Sequence, residues 1–135
     1  MKHSQHTELL HNHMAIPWHH LCKAENPPIT EATLPEKASI IGRTGLMLLS
    51  CGTGAWRVRS SMNTLARTMG ITCTADVGLV SIEYTCIDKT ETFSQSLCLT
   101  TTGVNTAKLS ELENFVLDFP AKHASETSKH LHKFL

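Results

Sequence analysis

The hydrophobic period of this chain changes twice, and these changes constrain the fold more than any other feature. From Glu36 to about Met69, apolar residues recur every three or four positions, which is typical of amphipathic helices. From Ile71 to about Thr100 they alternate with polar residues, as in strands that have one buried face. Beyond Thr106 the helical spacing returns. The sequence therefore predicts helices on both sides of a block of strands.

Two helices are predicted before the strands. The first has an apolar stripe from Ala38 to Cys51, where the glycines of "CGTG" interrupt it, because glycine commonly ends helices. The second is predicted from about Thr53 to Thr68, with Gly70 just after its end. The residues expected on its inner face are Trp56, Met62, Leu65 and Met69.

Three strands and further helices are predicted after Gly70. "ITCTADVGLVSIEYTCID" indicates two strands about Gly78, and the apolar face of the second is expected to consist of Val80, Ile82, Tyr84 and Cys86. "FSQSLCLTT" indicates a third strand after the polar turn "KTET". A helix follows, with Asn105 or Thr106 as its N-cap; Pro120 ends or kinks it, and "ASETSKHLHKFL" indicates another. This order predicts an α+β fold: two N-terminal helices, a small antiparallel meander of about three strands, and C-terminal helices packed on the sheet.

Composition divides the chain into two parts. Residues 1–36 hold six of the nine histidines and four of the five prolines, which indicates a His/Pro-rich and partly disordered segment. Residues 37–135 are expected to form one soluble domain. The longest apolar run, "LMLL", is far shorter than a membrane span.

Charge and cysteine content exclude several classes of function. With 12 basic and 12 acidic residues and no basic stripe, the chain is not expected to bind nucleic acid. Its five cysteines form no CxxC pair, and no signal peptide is evident, which favours a reduced, cytosolic setting. Nothing in the sequence indicates a cofactor.

A metal site is one possibility for the N-terminal segment. Imidazole and thiolate groups are ligands for zinc and copper. The candidates, which the composition also explains as a solvated tail, are His11, His13, His19, His20 and Cys22.

The sequence gives little support for a catalytic site. A Cys–His pair or a Ser–His–Asp set needs a histidine, and none occurs between Glu36 and Phe119. Asp76 and Glu83 could act as paired carboxylates, although the pattern favours solvent-side strand residues. No catalytic residue is therefore predicted.

The segment "CGTGAWRVR" could bind an anion. Gly52 and Gly54 precede a helix whose N–H groups and dipole attract negative charge, and Arg57 or Arg59 could add a guanidinium. Without a preceding strand, the glycines match neither the dinucleotide fingerprint nor the Walker loop. A joint between two helices is the favoured interpretation.

Several ordered blocks resemble the N-terminal domain of the threonine/serine exporter family. They are "IIGRTGLMLLSCGTGAWRVRSSMNTLARTMGI", the strand triplet and "TTGVNTAKLSELENFV", together spanning about residues 38–119. The matching positions are Gly42, Arg43, Leu48, Leu49, Gly52, Arg57, Val58, Met62, Ala66, Gly70, Gly103, Val104, Asn105, Lys108, Leu109 and Asn114.

The resemblance implies a domain on the cytoplasmic face of the bacterial plasma membrane. It would precede a transmembrane permease portion, in the same or a companion protein, that exports threonine and serine. Many relatives have acidic residues where this chain has Gly54 and Arg59, so catalysis is not carried over. A regulatory, assembly or gating role is expected, and "SKHLHKFL" is consistent with an approach to the membrane.

If the domain senses the amino acid, its candidate ligand residues come from several segments. The ligand carboxylate would meet Arg43, Arg57 or the N–H groups near Gly52 and Gly54. The ammonium would meet Asp76 or Glu83, and Asn105 is a further candidate.

Two alternative functions and the oligomeric state remain open. A small hydrolase-like enzyme would use Asp76 and Glu83 with the arginines. The histidine-rich segment would instead bind metal, and homo-oligomers could form through a free sheet edge.

Overall fold

A computed structural model describes residues 27–99 and 106–135 of this protein. The chain begins there with a 3-10 turn at Ile29–Glu31. The α-helices are α1 (Leu34–Ser50), α2 (Ala55–Thr68), α3 (Thr106–Asp118) and α4 (Ser128–Phe134), and a π-helical turn at Phe119–His123 follows α3. The strands are β1 (Thr72–Val77), β2 (Ser81–Asp88) and β3 (Glu91–Cys98). Helices before and after three antiparallel strands confirm the α+β prediction.

Helix α1 is the central element of the domain. Pro35 lies in its first turn, where the missing N–H costs nothing, and from Glu36 to Leu49 every residue is buried. A helix that is buried on all sides must be covered by several neighbours. Helix α2, strands β2 and β3, and the C-terminal helices α3 and α4 all pack on it.

The "CGTG" segment is a tight joint between α1 and α2, as predicted. The Cys51 amide donates to carbonyls of the last turn of α1, and the Thr53 amide donates to Leu48 O at 3.1 Å. Gly52 has a φ of 88°, a left-handed conformation that favours glycine. Gly54 is the N-cap residue of α2, with extended backbone.

The three strands form a meander in the order β1-β2-β3, with both pairs antiparallel. One face packs against α1 and α2. Its buried residues are Cys73, Val77, Ile82, Tyr84, Cys86 and Leu97. The opposite face carries polar residues. This alternation confirms the period-two interpretation of residues 71–99.

Tyr84 connects the sheet to α1. Its hydroxyl donates to Ala38 O at 2.8 Å and lies 2.8 Å from Gln95 Oε1 on β3. The ring lies against Gly42, where any Cβ atom would collide with the Tyr84 hydroxyl. The glycine therefore permits the close approach of helix and sheet.

Two predicted inner residues are exposed. The buried stripe of α2 runs through Val58, Met62 and Leu65, but Trp56 is 75% exposed. Trp56 precedes Val58 by two positions, or about 200° around the helix, and so faces away from the core. Val80, expected to continue the apolar face of the second strand, lies in the turn before β2 and is 47% exposed.

Candidate functional site

The outer face of the sheet carries a pair of opposed carboxylates. Asp76 on β1 and Glu83 on β2 are direct partners in the antiparallel register, so both side chains project from the same face. Because they are seven residues apart in sequence, the sequence alone does not show whether the two side chains lie on the same face. A two-residue connection at Leu79 and Val80 brings them opposite one another, since the Gly78 amide bonds Ser81 O at 2.8 Å.

A shallow depression of about 490 Å³ lies around this pair. Hydroxyl groups line much of it, and one pair is joined by a 2.8 Å hydrogen bond between Thr85 Oγ1 and Ser94 Oγ. The other serine and threonine residues lining the depression are Thr74 and Ser96. It therefore combines negative charge with groups that both donate and accept hydrogen bonds.

The charge of this depression is not neutralised within the described residues. Neither Asp76 nor Glu83 forms an ion pair with any residue of 27–99 or 106–135. Like charges placed directly opposite on a ladder repel each other. The geometry therefore favours a cation, such as an ammonium group, at this position.

Arg59 lies at the edge of the sheet beside this depression. Its Nε donates to Ala75 O at 3.2 Å, and Ala75 directly precedes Asp76. Ala75 O points away from β2, so the arginine satisfies an acceptor on the otherwise open edge of β1. Unmet backbone groups on an edge strand invite pairing with another chain, and this contact reduces that tendency.

A second groove, of about 320 Å³, lies between α2 and α3. Arg57 lines it and approaches Glu113, with 3.9 Å between Nη1 and Oε1, and both side chains are largely exposed. Its apolar lining includes Trp56 and Leu117, each about three-quarters exposed. The groove has a different character from the polar face of the sheet.

Arg43 has a buried structural position. Its Nη1 lies 3.1 Å from His132 Nδ1 and donates to His132 O at 3.1 Å, joining α1 to α4. Burial lowers the pKa of this guanidinium, which nevertheless stays charged. Its Nε has no hydrogen-bond partner in the described part of the chain.

The same contact continues along α1 toward its first turn. Ser39 Oγ lies 2.8 Å from His132 Nε2, and the Ser39 hydroxyl donates to Glu36 O at 2.6 Å. The buried Glu36 carboxylate accepts hydrogen bonds from Thr33 at 3.0 Å and from Ser128 at 2.7 Å. We call this group the α1–α4 polar spine: Glu36, Ser39, Arg43, Ser128 and His132.

The polar spine corrects one argument from the sequence. A serine–histidine pair was not expected because residues 36–119 contain no histidine, but α4 brings His132 to Ser39 from outside that range. The orientation does not suit a nucleophile. Arg43 can only donate, so Nδ1 accepts, Nε2–H donates to Ser39 Oγ, and no imidazole lone pair remains to take the serine proton.

The structure brings together only part of the predicted ligand set. Asp76 and Glu83 share the outer sheet face. Gly52, Gly54 and Arg57 lie at the joint and the α2–α3 groove, and Arg43 is in the polar spine. Asn105 and the metal candidates His11, His13, His19, His20 and Cys22 lie outside the described residues.

The hydroxyl-lined face and the polar spine were not predicted from the sequence. Both depend on register and on contacts between distant segments. Period-two alternation alone would have placed Thr74, Thr85, Ser94 and Ser96 on the solvent face, but not around one carboxylate pair. Within the described residues, no group of three His, Cys, Asp or Glu side chains is arranged to hold a metal ion.

Comparison with known proteins gives one match. Residues 39–133 match the family model described as "Putative threonine/serine exporter". No curated protein and no solved structure matches the chain. In residues 27–99 and 106–135, no helix combines the length and apolar character that crossing a membrane requires. Because the match covers well over half of the sequence, the chain belongs to the threonine/serine exporter family.

Proposed function

We propose that this chain acts as a non-catalytic domain of a threonine/serine exporter on the cytoplasmic face of the bacterial plasma membrane. Its role there is to regulate, assemble or gate the permease portion of the same or a companion protein. Membership of the exporter family supports the transport context. The orientation of the Ser39–His132 pair supports a structural role, not a catalytic one, for the only Ser–His contact in the described residues.

The observation that carries a sensing role is the opposed pair Asp76 and Glu83 in a hydroxyl-lined depression. Threonine and serine each carry an ammonium group and a hydroxyl group. The carboxylate pair attracts the ammonium, and the hydroxyls of Thr85 and Ser94 form hydrogen bonds with the ligand hydroxyl. The site therefore matches the substrate class that the family name states.

The carboxylate of a bound amino acid requires a cationic side chain beside the depression. Arg59, held at the β1 edge beside Ala75, is the described arginine best positioned for this contact. Arg43 is already engaged with His132, and Arg57 lies at the α2–α3 groove. Arg59 thus replaces Arg43 and Arg57 as the proposed partner of the ligand carboxylate. Asp76 and Glu83 remain the proposed partners of the ammonium.

Calorimetric titration of the chain with threonine, serine and valine tests sensing. Valine has nearly the shape of threonine but lacks the hydroxyl, so threonine and serine should bind in the millimolar range or tighter, and valine much more weakly. Asp76→Asn and Glu83→Gln should each weaken threonine binding, whereas Arg57→Ala should not. A folded protein that gives no heat with millimolar threonine would remove the sensing proposal.

Efflux from intact cells tests the transport role separately. Cells of the source organism, loaded with a threonine-containing dipeptide, should release threonine at a different rate when Asp76→Asn and Glu83→Gln are introduced into the gene. An unchanged rate in that strain and in a strain lacking the gene would exclude a role in export.

Enzymatic turnover provides the opposing outcome. Hydrolysis of dipeptides or esters by the purified chain, abolished by Asp76→Asn, would favour the hydrolase alternative over the regulatory role.

Zinc or copper titration of the full chain, compared with a variant lacking residues 1–35, distinguishes the metal-binding alternative. Sedimentation of the purified chain measures self-association.

A further inference from the structure

Two cysteines lie directly opposite one another on the buried face of the sheet. Cys73 on β1 and Cys86 on β2 are register partners, and both are free thiols in this structure. Cys73 is 7% exposed and lies on the edge strand, whereas Cys86 is fully buried on the central strand. The pair belongs to neither the carboxylate depression nor the polar spine.

The hydrogen-bonding pattern identifies the type of this cross-strand pair. The Gly78 amide bonds Ser81 O, which makes Gly78 and Ser81 a hydrogen-bonded pair. Because pair types alternate along an antiparallel ladder, Cys73 and Cys86 form a non-hydrogen-bonded pair. Such pairs have Cα atoms about 4.5 Å apart, which lies at the short end of the range of about 4.4–6.8 Å found in disulfides.

The two thiols influence each other electrostatically. The neighbouring Cys86 lowers the pKa of the Cys73 thiol. Proximity to Cys73, together with burial, raises the pKa of Cys86 well above its ordinary value. Cys73 is therefore the better nucleophile, and Cys86 remains a thiol beside it.

We propose that Cys73 and Cys86 form a reversible cross-strand disulfide by exchange with a low-molecular-weight disulfide such as oxidised glutathione. The proposal rests on the direct opposition of the two cysteines in the β1–β2 register and on the short spacing of a non-hydrogen-bonded pair, and it is independent of amino-acid sensing or export.

The exchange takes place in two steps. The Cys73 thiolate attacks one sulfur of glutathione disulfide, the S–S bond breaks, and one glutathione leaves as a thiolate that takes up a proton. Cys86, losing its proton to water, then attacks Cys73 Sγ in the mixed disulfide and releases the second glutathione. Two protein thiols are oxidised by two electrons, and one glutathione disulfide is reduced to two thiols.

The bond would tie the edge strand to the centre of the sheet. It closes a loop of 14 residues, 73–86, that includes Asp76 and Glu83. A covalent loop restricts the unfolded chain, so oxidation should raise the melting temperature. Reduction with dithiothreitol should restore both thiols and the original melting temperature.

The test uses the full chain incubated with oxidised glutathione under native conditions, then alkylated and digested. Trypsin cuts after Arg67 and Lys89 and leaves both cysteines on one peptide. On disulfide formation this peptide should carry no alkyl group, and its mass should be about 2 Da below that of the unalkylated dithiol peptide. Further cleavage at Asp76 and Glu83 should yield fragments that remain linked until reduction.

Variants identify the pair. A protein carrying Cys22→Ser, Cys51→Ala and Cys98→Ser should form the bond as readily as the wild type, whereas Cys73→Ser should not form it. The proposal is overturned if the folded wild-type protein keeps both thiols of peptide 68–89 free. Modification confined to Cys98, which is exposed, would overturn it equally.

Discussion

Ser39 Oγ and His132 Nε2 are 2.8 Å apart although 93 residues separate them in sequence. The contact fixes the last helix of the described chain on the central helix, and Arg43 reinforces it from the other side of the imidazole. Polar groups buried in this way must satisfy one another, because each unmet donor or acceptor costs about 1–3 kcal/mol. The contact therefore specifies where α4 docks.

Arg43→Ala should destabilise the protein. The substitution removes both contacts to His132 and leaves a cavity against α4, so the free energy of unfolding should fall by roughly 2–4 kcal/mol. Urea denaturation followed by circular dichroism measures the change. Arg57→Ala is the matched control, because its exposed contact with Glu113 should contribute less than about 1 kcal/mol. Equal losses in the two variants would contradict a structural role for Arg43.

Gly42→Ala should also be destabilising, despite the preference of helices for alanine. The new Cβ would collide with the Tyr84 side chain, which is held by Ala38 and Gln95. Overpacking of this kind costs about 1–3 kcal/mol. Gly54→Ala, whose Cβ would meet no atom within 4 Å, should change stability by no more than about 1 kcal/mol. Comparison of the two thermal unfolding curves checks this difference.

Tyr84, the only tyrosine in the chain, should resist ionisation. Burial and the nearby Cys86 and Cys73 raise its pKa well above the ordinary value of 10. The unfolded chain ionises first as pH rises, so the stabilising effect of the neutral phenol is complete below about pH 10 and is lost progressively above it. Absorbance at the phenolate band should increase only on unfolding. A normal titration in the folded protein would contradict the buried position.

Asp76→Asn should stabilise the free protein slightly. The change removes repulsion between two carboxylates that face each other across the ladder, which is worth about 0.2–1 kcal/mol. Chemical denaturation at low and high salt measures it, and the difference from wild type should shrink as salt screens the pair. Asp88→Asn should behave in the same way, because Asp88 faces the carboxylate of Glu91 across the β2–β3 ladder. A loss of stability specific to Asp76→Asn would indicate an unrecognised partner.

The fold was largely predictable from sequence because period and turn chemistry are local. The change of hydrophobic spacing at Ile71 marks the start of the sheet, and the glycines near Thr53 mark the joint between α1 and α2. The prediction that Trp56 is buried was wrong. Its large apolar side chain suggested burial, but its position around the helix places it on the side opposite Val58. Phase is a stronger guide than hydrophobicity for a residue in the first turn of a helix.

The candidate site was predictable only in part. Opposition of Asp76 and Glu83 requires knowing that Leu79 and Val80 form the turn, and two apolar residues do not indicate a turn. The polar spine joins segments about 90 residues apart, and no local pattern reports such pairing. Ligand residues drawn from separate segments could be named from the sequence, but their grouping could not.

The Ile29 amide donates to Glu126 O at 2.7 Å, and Pro28 and Thr127 form a bridge beside it. The entry to the domain and the start of α4 are thereby fastened to each other, so they should open as one unit. In hydrogen exchange, the amides of Ile29 and Leu131 should become labile together, ahead of those in β2. A ligand or partner that displaces α4 would therefore also displace the segment around Ile29.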